Sequence, residues 1–171
     1  NMVFNCTVSG GNWGLITNSI HFIDLFSWIS ESQVLEVDSK GIHTWFESKR
    51  LGYFDAFGSL KVTFKNGSIL YLNSSNCDDE LKLKFKNSEN EILINEEKGV
   101  AYNLNDSREL SGELLFQSKL TKSLVDKIIN FGDCDLPTLQ VSSNYHIHYL
   151  DALLDSWNFL QKKKDSTLRI T

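Results

Sequence analysis

The sequence predicts an α+β fold, an open and mostly antiparallel β-sheet with helices packed on one face. Three observations point to it. A long apolar helix pattern stands near the N-terminus, strand patterns of period two fill the middle, and helical spacing returns at the end. Runs of strands flanked by helices, without regular βα alternation, gather the helices against one side of a sheet.

The elements follow in order. Val3 to Ser9 reads as a short strand, and Gly10, Gly11 and Gly14 then permit tight backbone geometry. From Ile16 to Ile29 the spacing predicts a well-buried helix. Leu15, Ile16, Ile20, Ile23 and the run from Phe26 to Ile29 place apolar groups at helical intervals and on neighbouring faces. Val34 to Val37 is a strand. Leu60 to Phe64 alternates strictly, and Ser68 to Leu72 continues after Asn66-Gly67, a hairpin signal whose two turn residues both tolerate positive φ. Leu81, Leu83 and Phe85 alternate with Lys82, Lys84 and Lys86, which describes a sheet with one dry and one wet face. Glu91 to Asn95 and Gly99 to Leu104 supply two more strands, and Glu113 to Gln117 a short last one. Leu120, Leu124, Ile128 and Phe131 mark a helix starting near Thr121 and stopped by Gly132. Pro137 forces Leu136 out of helical geometry. Ser142 or Ser143 then caps a final helix ending near Leu160, with a core stripe of Tyr149, Leu150, Leu153, Leu154, Trp157 and Leu160.

With 171 residues, 41% of them hydrophobic and 23% charged, the chain suits one domain with its core between residues 3 and 160. A net charge of -5 disfavours nucleic acid as a partner, and Lys162-Lys163-Lys164 is a solvated end. Cys6, Cys77 and Cys134 are too irregularly spaced for a disulfide framework or a metal signature. The sequons at Asn5, Asn66, Asn73 and Asn105 are expected by chance in a chain rich in Asn and Ser. No signal peptide or membrane-crossing apolar run is evident, so a cytoplasmic protein without a membrane partner is expected.

Thr17, His21 and Asp24 stand at i, i+4 and i+7 and share a helix face that Trp28 extends. The pair of His21 and Asp24 has two readings. It solvates one side of a helix, or the carboxylate holds the imidazole's tautomer and raises its basicity for chemistry. The upstream glycines and the helix N-terminal amides favour a ligand there, and Trp13 either stacks on a ring or joins the core. His146 sits on the side of the last helix that carries Leu150, Leu153 and Trp157, as a core-edge histidine or a pocket residue; His148 points elsewhere. Gly10-Gly11-x-x-Gly14 is a poor match to a dinucleotide-binding fingerprint, and there is no phosphate loop or serine elbow.

The segment from Gly11 to Leu25, with Thr17, Asn18, His21 and Asp24, resembles the glycine-then-histidine-aspartate motif of the glucose-fructose oxidoreductase, inositol dehydrogenase and MocA family. It is most similar to the branch in sugar-nucleotide and surface-polysaccharide pathways. Asp135-Leu136-Pro137-Thr138-Leu139, His146 and Leu150-Asp151-Ala152-Leu153-Leu154 resemble the family's closing helix. The resemblance implies the family's second domain, with a fold like the C-terminal domain of dihydrodipicolinate reductase, which commonly forms oligomers through its sheet. It implies that a Rossmann domain carrying NAD or NADP and a Glu-Lys-Pro motif is missing from this chain. The chain alone then binds no cofactor and has no activity. It further implies that His21 is the catalytic or substrate-orienting histidine and that Asp24, one turn later, supports the structure or the histidine. Trp13, Thr17, Asn18 and His146 face a sugar, sugar-nucleotide or cyclitol substrate. Thr17 stands where many members carry an aspartate. Two alternatives remain open: a sugar-binding or oligomerisation module without redox chemistry, and a hydrolase or isomerase using His21 and Asp24.

Overall fold

The computed structural model describes residues 3–112, 115, 117–134 and 136–170. The chain begins with β1 (Asn5–Gly11), α1 (Leu15–Ser30), β2 (Val34–Glu47), β3 (Phe54–Phe64) and β4 (Ile69–Ser75). It continues with β5 (Lys82–Lys86), β6 (Glu91–Asn95), β7 (Val100–Asn103), β8 (Arg108–Ser111), α2 (Gln117–Phe131) and α3 (Leu139–Gln161). The strands form one sheet in the order β2-β3-β4-β1-β5-β6-β7-β8. Only β1 and β4 run parallel, with Val8 beside Leu72; the other neighbouring pairs are antiparallel. A parallel pair needs a crossover. Here α1 and the β2–β3 hairpin provide it, which sets the helix start beside the ends of four strands.

The core lies between the sheet and two helices. Val8, Leu60, Val62, Phe64, Leu70 and Leu72 are buried beneath Ile16, Ile23 and Phe26 of α1 and Tyr149 and Leu153 of α3. Each such side chain contributes roughly 1.5–3 kcal/mol by leaving water. Phe26 anchors the centre, with its ring centroid 5.0 Å from that of Phe4 and 4.9 Å from that of Phe64. The opposite sheet face is wet, as the alternation predicts. Lys61, Tyr71, Thr7 and Lys84 lie side by side across it.

Several boundaries differ from the sequence reading. The first strand starts at Asn5 and runs to Gly11. α1 is buried on one side only, because Leu25 and Ile29 are exposed and Trp28 is 77% exposed. In the hairpin at 64–68 only Gly67 has positive φ, at 89°. Asn66 instead accepts the Ser68 N–H through its side chain and donates to Ser30 O, tying the turn to the end of α1. The last strand is Arg108–Ser111. Of the segment expected to form it, Glu113, Leu114 and Phe116 lie outside the described residues and Gln117 opens α2. Thr138 caps α3, its side chain accepting the Val141 N–H, so Ser142 and Ser143 lie inside the helix and Leu150 faces solvent. The resemblance residue Asp135 also lies outside the described residues.

Candidate functional site

The site grows from the turn between β1 and α1. Gly11 N–H donates to Asp79 O at 2.9 Å and Asn12 N–H to Ser75 O at 3.0 Å, so the 75–79 backbone lies flat against the end of β1. A Cβ on Gly11 would stand 1.9 Å from Cys77 O, which is why this position lacks a side chain. Asn12 and Gly14, with φ of 52° and 79°, then swing the chain into α1.

Gly14 leaves α1 without a side-chain cap of its own. Asp55, from the start of β3, takes that role. Its Oδ1 accepts the Ile16 N–H at 2.9 Å and the Ala56 N–H at 2.7 Å, and its Oδ2 accepts from Thr17 Oγ1 at 3.3 Å. A buried carboxylate on helix N-terminal amides is favourable because those donors have no partner within the helix. Asp55 is absent from the sequence-based site. The available signal is an acid inside the otherwise apolar and aromatic run Tyr53-Phe54-Asp55-Ala56-Phe57.

Around this junction opens a cleft of about 510 Å³, bordered by Asn12, Trp13, Thr17, Asn18, Arg50 and Ser74 among others. Trp13 is fixed on two sides, donating from Nε1 to Asn73 O at 2.7 Å and meeting Phe22 edge-on. Asn18 Nδ2 donates to Trp13 O at 2.5 Å, which leaves its carbonyl oxygen as an acceptor. Three of the residues expected at a substrate site, Trp13, Thr17 and Asn18, therefore meet in one place.

The other three are elsewhere. His21 is exposed one helical turn beyond Thr17 and lines a second cleft of about 820 Å³ with Asp24, Trp28, Leu136, Pro137 and Val141. Asp24 is engaged from another direction: its Oδ1 accepts the Tyr145 O–H at 2.7 Å. Burial, with a lesser contribution from Asp24, raises the Tyr145 phenol above its ordinary range, so it stays a donor at neutral pH. Asp24 thereby joins α1 to α3. His146 turns back on its own helix, with Nδ1 2.9 Å from Ser142 O and its ring against Tyr145. A bond to that carbonyl requires the proton on Nδ1. Among the described residues, no group of three or more His, Cys, Asp or Glu side chains is arranged to hold a metal ion.

The sheet order, the single parallel pair and the helices on one face give an open, mostly antiparallel sheet of the kind seen in the C-terminal domain of dihydrodipicolinate reductase. Among solved structures, UDP-N-acetylglucosamine 3-dehydrogenase GnnA from Acidithiobacillus ferrooxidans is similar with a TM-score of 0.64 and 12% identity, over 94% of this chain and 55% of that one. A dehydrogenase (MviM) from Clostridium difficile has a TM-score of 0.56 and 13% identity, over 91% of this chain and 55% of that one. Levoglucosan dehydrogenase, in complex with NADH and L-sorbose, has a TM-score of 0.55 and 14% identity, over 94% of this chain and 56% of that one. The chain spans about half the length of these structures. No protein-family model matches it, and no curated protein matches it by sequence.

Proposed function

We propose that this chain is the substrate-binding part of a nicotinamide-dependent oxidoreductase acting on a hydroxyl or keto group of a sugar, sugar nucleotide or cyclitol. The observation that carries the reading is a shared fold over nearly all of this chain but only half of each dehydrogenase. The cleft beside Trp13, Thr17 and Asn18, on the helix that carries His21, supports it.

The residues present do not fit the dinucleotide itself. Among the described residues, α1 is the helix that follows a strand most directly, and the buried Asp55 carboxylate already sits at its N-terminus on the Ile16 N–H and the Thr17 hydroxyl, where the negative charge of a pyrophosphate would be repelled. The nicotinamide therefore belongs to a separate dinucleotide-binding domain in this reading, and the isolated chain is inactive. Within the chain, Asn18 and Trp13 hold one end of the sugar at the start of α1, and His21, in the neighbouring cleft one helical turn beyond Thr17, takes or returns the proton of a reacting hydroxyl that extends past Thr17. Asp24 and Tyr145 fix the helix pair on which His21 stands. His146 stabilises Tyr145 from behind rather than touching substrate. A second copy packs against the open sheet face, which mixes Tyr71 with lysine and threonine and so suits an interface more polar than a core.

Thr17 supports a second reading, a sugar-binding module without redox chemistry. Its hydroxyl is directed to Asp55, so the position offers no free carboxylate to assist a base. Changing His21→Ala in the protein from the intact reading frame separates the two. The enzyme reading expects turnover to fall at least about a hundredfold, the typical contribution of a general acid or base, with cofactor binding unchanged. Unchanged turnover would remove His21 from the chemistry, and absence of turnover in the unaltered protein would favour the module.

A further inference from the structure

The helix side of the sheet is covered over one half and open over the other. α1 packs on β3 and β4, and α3 packs on β2. The register carries the apolar row of the core onward from there. Val8 stands beside Leu83, Leu83 beside Ile94, Ile94 beside Ala101, and Ala101 beside Leu110. Residues paired in this way share one face of the sheet. Burial is lost step by step along the row: Leu83 is buried, Ile94 and Ala101 are half-buried, and Leu110 is 68% exposed. Phe85 and Ile92 form a second row beside it. Two hollows of about 350 and 320 Å³ share Ile94 and join into one apolar groove, from Phe4 and Ile29 to Leu110.

The same chain carries a helix suited to that groove. In α2, Leu120, Leu124, Ile128 and Phe131 recur at i, i+4, i+8 and i+11 and so share one face. Leu120 and Ile128 are exposed and Phe131 is 80% exposed. Within one chain, then, stripe and groove do not meet. α2 has 15 residues and is about 22 Å long, enough to cross the roughly 14 Å from β5 to β8. The charges also match. α2 carries Lys119, Lys122 and Lys127 against one acid, Asp126. The turns that end the groove carry Glu89 on one side and Glu96 and Glu97 on the other. None of these three acids belongs to an ion pair among the described residues. Glu96 is half-buried, and burial raises its carboxyl above the usual range.

A chain that carries both a groove and the helix complementary to it is self-complementary, which is the condition for a twofold pair. We infer that two copies of this chain exchange their α2 helices. Each helix lies in the β5–β8 groove of the other copy, with its stripe on Ile94 and Leu110 and its lysines towards the Glu89, Glu96 and Glu97 turns. The contact uses the opposite side of the sheet from the open face and does not rest on the redox reading.

Disulfide trapping tests the exchange in chains that carry Cys77→Ser and Cys134→Ser. One chain adds Leu110→Cys and a differently tagged chain adds Ile128→Cys. Mild oxidation of the mixture should link the two tags, whereas Tyr71→Cys on the open face should give no link to Ile128→Cys. A single chain with Leu110→Cys and Ile128→Cys should give a doubly linked dimer. In sedimentation experiments the unaltered 171-residue chain should self-associate. Ile128→Glu or Leu110→Glu should weaken that association at least about a hundredfold, a tenfold loss felt twice in a twofold pair. Both positions are exposed in the single chain, so the fold is retained, which circular dichroism checks. A link formed within one chain places α2 on its own groove and overturns the exchange. So do an equal link from Tyr71→Cys, a chain that stays monomeric, and association that neither glutamate weakens.

Discussion

Asp55→Ala is the substitution whose effect can be worked most fully from the structure. The side chain is 6% exposed and accepts two backbone N–H groups, those of Ile16 and Ala56, besides the Thr17 hydroxyl. Alanine leaves both buried amides without an acceptor, at about 1–3 kcal/mol each. It also removes a carboxylate from the positive end of α1, worth about 0.3–1 kcal/mol. A small methyl in the vacated space admits water to part of the site, so the sum falls near its lower range, about 3 kcal/mol. For a chain of this size that corresponds to a fall in Tm of roughly 6–12 °C. Urea unfolding followed by tryptophan fluorescence reads the change directly. Asp55→Asn retains an acceptor oxygen and loses only the charge, so it costs about 1 kcal/mol. A loss below about 0.5 kcal/mol for the alanine variant, or equal losses for the two variants, would refute the view that this carboxylate caps α1.

Other expectations rest on separate contacts. Gly11→Ala drives a Cβ to within 1.9 Å of Cys77 O, a backbone atom that cannot swing aside; unfolding in urea should show a loss of about 3 kcal/mol, at the upper end for overpacking. Tyr145→Phe removes the donor to Asp24 and costs about 1 kcal/mol, because Asp24 is only half-buried and water can replace the bond; no loss would show that the α1–α3 contact contributes nothing. Burial pushes the Cys6 thiol from 9.0 up to about 12. The folded state thus favours the neutral thiol, so its contribution is full below the ordinary thiol range and is lost as pH rises towards about 12. A disulfide reagent near neutral pH should therefore label Cys77 and not Cys6 in the folded protein, and Cys6→Ala should flatten the decline in stability at alkaline pH.

What could be read from the sequence follows from where tertiary contacts reinforce local patterns. The second half of β3 from Leu60 to Phe64, β4 and β5 alternate cleanly because one face is core and the other water, and α1 shows itself through Ile16, Ile23 and Phe26 on its buried side. β2 is far longer than its recognisable start. Register shifts near Val34, Asp38 and Ile42 break its alternation, so period two ends while the strand continues. β8 is exposed at every position, and its sequence Arg108-Glu109-Leu110-Ser111 therefore carries no burial pattern at all. The first turn of α3 carries no sequence pattern for a related reason: Leu139 is 84% exposed and marks no core stripe. At the candidate site, helical spacing placed Thr17 and His21 on one face. It could not reveal that Asp24 would serve Tyr145, 121 positions away, or that Asp55, 39 positions from Ile16, would cap the helix. Those roles exist only once the sheet brings distant segments together.

The central claim is that this chain supplies a sugar pocket and leaves the nicotinamide to another domain. Fluorescence titration of NADH and NADPH into the protein made from the intact reading frame, alongside the 171-residue chain, tests it most directly. The account predicts saturable binding of at least one of them by the former and none by the latter. Binding by the short chain, or no binding of either cofactor by the intact protein, would contradict it.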